Sequence, residues 1–314
     1  MRVLNRRHFV QLFGATCFAR SVRSTGAQPP SLAPLADMHA PRLGTVAKVQ
    51  PGGSAQAAVK RVHDLGLPTC QIFFEHLSMK EVVPLTAALK AYGVEATAVS
   101  EHNPGKRIFD FYQGPRTIGV IPPENRRARI DALKLAAQFA HACEIPSIHT
   151  HLGFIPEDPN DPIYSVAVES IREVAQHCKD QGRMLLCETG EETPITMLRM
   201  IQDVGTGNVF VNLDTANLIL YGKGNPVDAM DVFGHLVRGM HAKDGMFPTN
   251  SRDLGNEVPI GKGRVNFPVL FERLRQVGYT GAVTIEREID GLQQEHDILR
   301  SKLFLQELIE RNYH

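Results

Sequence analysis

The 314-residue chain has no surplus of either charge: 34 Lys and Arg balance 34 Asp and Glu. A protein built to hold nucleic acid carries a basic excess, so that class is disfavoured from the start. No run of 18 apolar residues occurs, which excludes an ordinary membrane-spanning helix. No CxxC pair and no zinc-ribbon spacing is present among five cysteines, and no GxGxxG follows the first apolar run. There is no short internal repeat and no sign of a second folded domain. What remains is 43% apolar and 22% charged, the composition of a globular chain rather than a disordered one.

A further absence is local. Residues 1–36 contain no acid, while Arg2, Arg6, Arg7, Arg20 and Arg23 fall there. Without those five, 29 basic residues face 34 acidic ones, a net charge of −5 for the segment 37–314. Asn5-Arg6-Arg7-His8-Phe9-Val10-Gln11 resembles the twin-arginine export signature, and a short apolar stretch and a Ser/Gly/Ala/Pro-rich tail follow it. The expectation is a leader and linker over 1–36, a catalytic domain over 37–314, export by the twin-arginine machinery and a periplasmic location. Cys70, Cys143, Cys178 and Cys187 remain after such a leader, and their spacing suits buried thiols.

Short apolar runs recur at 43–49, 69–74, 95–100, 147–151, 184–188, 209–214, 239–242 and 282–286. They read as buried parallel strands rather than alternating ones. Helical patterns lie between them, over 123–143 with Ile130, Leu133, Ala137 and Ala140 on one side, from Pro162 to about 179, and from about 292 to 310. Pro194, Pro226 and Pro268 mark further helix starts, and Gly182 and Gly278 mark helix ends. Eight strand–helix units in about 270 residues match an α/β (β/α)8 TIM barrel, with a doubly wound sheet as the rival.

In such a barrel the chemistry sits where the strands end. Glu188, Asp214, His241 and Glu286 each close an apolar run in four consecutive units. A lone carboxylate at such a position is ordinarily a cap or a loop residue. Three placed side by side repel one another unless a cation neutralises them. His149 and His151 alternate onto one side of the fourth strand, and Lys243 shares a side with His241. Glu75, His76, Glu101 and His102 end the second and third strands and are candidates for the pocket wall.

This set resembles the metal centre of the sugar phosphate isomerase/epimerase family, whose barrel is xylose isomerase-like. The most specific part is His241-Ala242-Lys243-Asp244, then Pro259-Ile260-Gly261-Lys262-Gly263, then Gly278-Tyr279-Thr280-Gly281 and Ile285-Glu286. The resemblance implies a divalent metal on Glu188, Asp214, His241 and Glu286. One His with three carboxylates favours Mn²⁺, with Mg²⁺ or Co²⁺ as alternatives, over structural zinc. It also implies a sugar or sugar derivative as substrate and proton abstraction next to a carbonyl polarised by the metal, with Glu188 and Glu286 as the acid/base pair. His151 and Lys243 join them as candidate catalytic residues, and Asn217, His149 and Glu191 as substrate contacts. Ketose epimerases of the family carry a His where Asn217 stands, so 3-epimerisation of a ketose is not implied. Two outcomes follow the proton step on this reading, isomerisation or epimerisation first and β-elimination from a 3-keto-glycoside second; a non-catalytic sugar-binding envelope protein is the last alternative.

Overall fold

The structure, a computed structural model, describes residues 39–101 and 103–313. The expected leader over 1–36, the boundary at 37, Cys17 and the pocket-wall candidate His102 lie outside the described residues.

In chain order the elements are β1 (Leu43–Val49), α1 (Ala55–Asp64), β2 (Thr69–Phe74), α2 (Val82–Tyr92), β3 (Glu95–Glu101), α3 (Gly114–Thr117), α4 (Arg126–Ala142), β4 (Ser147–Thr150), α5 (Pro162–Asp180) and β5 (Met184–Glu188). They continue with α6 (Pro194–Val204), β6 (Val209–Asp214), α7 (Asn217–Leu220), α8 (Pro226–Phe233), β7 (Val237–Ala242), β8 (Asp244–Gly245), β9 (Glu257–Val258), α9 (Phe267–Gln276), β10 (Val283–Ile285) and α10 (Leu292–Tyr313). Eight parallel strands close into a barrel in the order β1-β10-β7-β6-β5-β4-β3-β2. The doubly wound alternative is thereby excluded, since an open sheet has two edges and this one has none.

The expected strands coincide with the observed ones to within one or two residues. The fourth stops at Thr150 rather than 151, and the last spans only Val283–Ile285. Helix starts follow local chemistry. Ser54 accepts a hydrogen bond from the Ala57 N–H, Asp161 caps α5 ahead of Pro162, and Asn225 caps α8 ahead of Pro226. Gly182 and Gly278, at φ 66° and 76°, take the left-handed turns expected just after α5 and α9. The helix expected from 123 begins at Arg126, and α10 runs on to Tyr313.

Alternation along each strand separates two environments. Ile72, Val99, Ile148, Val211, Met240 and Val283 join the apolar core with the surrounding helices. The other set includes Gln71, Asn212 and His241, all buried. The level just below the strand ends is therefore polar inside the barrel and apolar outside it. Cys70, Cys143, Cys178 and Cys187 are buried free thiols, as their spacing suggested.

Two ionic side chains tie down the loops around the strand ends. The Asp244 carboxylate accepts from the backbone N–H groups of Gly245, Gly261, Gly263 and Val265 at 2.8–3.1 Å. A Cβ at residue 263 would lie 2.1 Å from Asp244 Oδ1, so only glycine fits there. This explains the Gly261-Lys262-Gly263 motif as an anchor for the backbone. The Arg129 guanidinium, buried on α4, donates to the carbonyls of Pro104, Lys106, Thr117 and Gly119. It thereby shapes the long segment between β3 and α4.

Candidate functional site

The ends of β5, β6 and β7 and the residue after β10 bring Glu188, Asp214, His241 and Glu286 together. One donor atom from each lies within 4.8 Å of the others. His241 Nδ1 is the centre: Glu188 Oε1 is 3.2 Å away, Glu286 Oε2 3.4 Å and Asp214 Oδ2 3.8 Å. Asp214 is held from behind, its Oδ1 accepting from the N–H groups of Ala216 and Asn217 at 2.8 and 2.7 Å. Its buried Oδ2 has no hydrogen-bond partner. A buried carboxylate oxygen without a hydrogen bond is costly, and it faces an imidazole, two more carboxylates and the Lys243 ammonium at 3.8 Å. The donor set fits a hard divalent cation coordinated through oxygen and one nitrogen.

Electrostatics support that fit. Burial pushes Asp214 up to about 8; Lys243 opposes the shift, while the charges of Glu286 and Glu188 add to it. Burial disfavours the charged forms of His241 and Lys243. The neighbouring carboxylates together outweigh it, Glu286 and Glu188 at His241 and Glu286, Glu288 and Asp214 at Lys243, so both sit well above their ordinary values. Burial likewise opposes ionisation of Glu188 and Glu286. His151 and His241 hold Glu188 well below the carboxylate range, and Lys243 and His241 do the same for Glu286.

The ring of His241 is oriented by residues the sequence reading passed over. Its Nε2 lies 2.8 Å from Gln71 Oε1, and Gln71 Nε2 donates to Asn212 Oδ1 at 2.9 Å. With Nε2–H donating to Gln71, the charged ring donates Nδ1–H toward Glu188, and loss of that proton would free the Nδ1 lone pair for a cation. Gly239 makes room for this chain, because a Cβ there would lie 2.3 Å from Asn212 Oδ1. The available signal was a Gln inside the apolar run Thr69-Cys70-Gln71-Ile72-Phe73-Phe74 and an Asn two residues before Asp214.

His149 and His151 both reach Glu188, each with Nε2 3.4 Å from one of its oxygens. Their shared side of the strand was legible, although His151 lies one residue beyond β4. Glu191, expected to touch substrate, is instead buried 3.0 Å from His151 Nδ1 and is absent from the cavity wall. Burial opposes charge on His151, yet Glu188 and Glu191 raise it to about 10. Asn217 is similarly drawn inward: its Nδ2 lies 3.4 Å from Glu188 Oε1 and its Oδ1 takes a hydrogen bond from Lys243. Lys243 neutralises carboxylates, with Nζ 2.8 Å from Glu288 and 3.3 Å from Glu286.

The cluster opens on a cavity whose wall includes Phe73, Glu75, Glu101, Asn103, Arg107 and Phe109. Glu75 and Glu101 were expected there, whereas His76 is exposed and outside it.

The xylose isomerase-like TIM barrel family model matches residues 59–308. The chain belongs to this family. A solved xylose isomerase domain protein from Planctomyces limnophilus is 32% identical with a TM-score of 0.81, covering 87% of this chain and 99% of that one. D-Psicose 3-epimerase of Agrobacterium fabrum is 25% identical over 247 residues, 73% of this chain and 77% of the epimerase. An uncharacterised protein of Methanocaldococcus jannaschii is 23% identical over 198 residues, 59% of this chain but only 64% of that protein's length.

Proposed function

We propose that the protein is a sugar isomerase or epimerase that moves a proton on the carbon next to a carbonyl. The observation that carries this reading is the pair Glu188 and Glu286, both held ionised, both within 3.4 Å of His241 Nδ1 and both lining one cavity. Glu188, Asp214, His241 and Glu286 would hold a divalent cation, for which Mn²⁺ is the first choice. When bound, it polarises the substrate carbonyl and acidifies the adjacent C–H.

The protein's own groups do the rest. One of the two ionised glutamates accepts the proton and, as the carboxylic acid so formed, can return it. His151, held charged between Glu188 and Glu191, supplies a second acid beside Glu188. Lys243 balances Glu286 and Glu288, which keeps Glu286 ionised in a buried setting. The similarity to D-psicose 3-epimerase supports this chemistry for the class of reaction, not for that sugar.

The test is solvent exchange in D₂O, followed by NMR, with Mn²⁺-reconstituted protein and dihydroxyacetone plus the D-ketohexoses. Deuterium should enter next to the carbonyl. Glu188→Gln and Glu286→Gln should each slow this by about 10²-fold or more. No incorporation into any probe would overturn the reading. Release of the aglycone from a 3-keto-glucoside would reassign the enzyme as a lyase acting through the same proton abstraction. We also propose export by the twin-arginine route, supported by Arg6-Arg7. Replacing both with Lys should leave the protein in the cytoplasmic fraction.

A further inference from the structure

β1 runs from Leu43 to Val49, but its register with β10 ends where Thr45 meets Ile285. Residues 46–49 pair with β2 on one side and have no strand beside them on the other. The chain leaves β10 through residues 286–291 and enters α10 at Leu292. A cleft of about 460 Å³ lies over this break in the barrel wall. Ile285, Arg61 of α1 and Ile298 of α10 line it together with Val46, Lys48 and Glu286. The last three also line the catalytic cavity. Glu286, one of the two glutamates assigned to proton transfer, is thus shared by the two spaces. The outer wall is tied in place: Arg61 donates to Gln294 Oε1 at 2.7 Å, and Gln294 Nε2 donates to the Arg287 carbonyl at 2.8 Å.

Size shows what the cleft adds. The catalytic cavity alone measures about 160 Å³, below the ~300–1,000 Å³ usual for a small-molecule site. Joined to the cleft, it falls inside that range. Chemistry narrows the occupant. The ionisable groups of the cleft are Lys48, Arg61 and Arg287 against Glu286, Asp290 and Glu295, so neither sign prevails. A phosphate or a second carboxylate finds no surplus of cations there. Val46, Ile285, Leu292 and Ile298 give the lining an apolar side, and Leu292 is 75% exposed. The strand edge at 46–49 offers backbone donors and acceptors. Apolar surface beside a hydrogen-bonding edge suits a sugar ring, which presents C–H groups on its faces and hydroxyls on its rim.

We infer that the cleft is a subsite for a second sugar unit. The substrate is then a keto-sugar carrying a glycosyl substituent, with its carbonyl between Glu188 and Glu286 and the substituent across the β1–β10 seam. This deepens the proposed function and rests on it. Binding energy collected by the remote unit can be used at the reacting carbon, so a truncated substrate loses turnover as well as affinity.

The experiment compares D-fructose with two disaccharides that keep a free fructose carbonyl, lactulose and isomaltulose, on Mn²⁺-loaded protein. Deuterium exchange next to the carbonyl and calorimetric binding are recorded for the wild type, Leu292→Trp and Gln50→Trp. Both residues are exposed and line the cleft, one from the start of α10 and the other from just after β1. A bulky ring at either obstructs the cleft without entering the core, and thermal unfolding confirms that each variant folds. At least one disaccharide should exceed fructose in kcat/KM by about 10-fold or more, the return on burying part of a ring. At least one variant should lower that ratio by about 5-fold or more. Because the readout is a ratio within one variant, a partly inactive preparation does not imitate it. Fructose equal to or better than both disaccharides, or a ratio that holds in both variants, overturns the subsite. Absence of exchange with every probe overturns the proposed function instead, and calorimetry then decides the subsite. Disaccharide binding weakened by either variant supports it; no such binding, or binding that neither variant weakens, overturns it.

Discussion

His241 is defined by its two ring nitrogens. One faces three carboxylates, and the other is fixed by Gln71, which Asn212 fixes in turn. Gln71→Met removes the acceptor behind the ring and leaves Asn212 Oδ1 without its donor. Mn²⁺ affinity should fall about 10- to 100-fold with the fold intact, as read by competition titration; an unchanged affinity would show that the ring is held by packing alone. Asp214 carries a second prediction. Its native value of about 8 lies above the unfolded one, so the metal-free site keeps a proton below that pH. Binding a cation must expel it together with the Nδ1 proton of His241, so affinity should rise with pH through about 8 and beyond. Calorimetry in buffers of different ionisation enthalpy would show proton release at pH 6.5 and less at pH 9. At this scale the four clustered side chains were legible because each closes an apolar run. Gln71 and Asn212 were not, because a hydrogen bond between residues 141 positions apart exists only once the barrel has closed.

The segment between β3 and α4 shows how one side chain can organise many residues that have little regular structure of their own. Asn103, Arg107 and Phe109 line the cavity from it, and Arg129 holds four of its carbonyls from beneath. Arg129→Met leaves those carbonyls without donors in a buried place. A loss of about 3 kcal/mol or more is expected from unmet buried groups. Limited proteolysis should then cut within 104–119 before the barrel unfolds. Equal resistance of variant and wild type would show that the segment is held elsewhere. Helices and strands were largely readable, since proline, Asx caps and glycine act locally. Arg129 looked like any helix arginine, and the β8–β9 pair is too short to leave a periodic trace.

The molecule as a whole closes on itself through short registers. β10 pairs over three residues with β1 and three with β7, and Thr45 Oγ1 adds a bond to the Ile285 carbonyl at that seam. A cation gripped by the ends of β5, β6 and β7 and by the residue after β10 would cross-link neighbouring staves of the barrel. Mn²⁺ at 100 times its Kd should add about 2.7 kcal/mol, raising Tm by about 5–10 °C for a domain of this size. Scanning calorimetry with and without Mn²⁺ reads the shift, and Glu188→Ala plus Asp214→Ala should abolish it. The closed barrel was legible from eight buried runs at regular spacing. The polar layer inside it was less so, because a strand buried on both faces does not announce which face is inward. Among the described residues no helix is long and apolar enough to cross a membrane, which agrees with the lack of a long apolar run.

The knot at Asp244 has an evolutionary consequence. It clamps the chain just after β7 to residues 261–265, while Met246 N–H bonds the Asn256 carbonyl and Gly255 N–H bonds that of Leu220. The stretch 247–254 therefore leaves and re-enters the barrel at fixed points. Lengthening a loop whose ends are already pinned costs little, about 0.6 kcal/mol per doubling. Insertions can accumulate there, and a new lid or a fused module can be grafted there, without His241 or Lys243 registering the change.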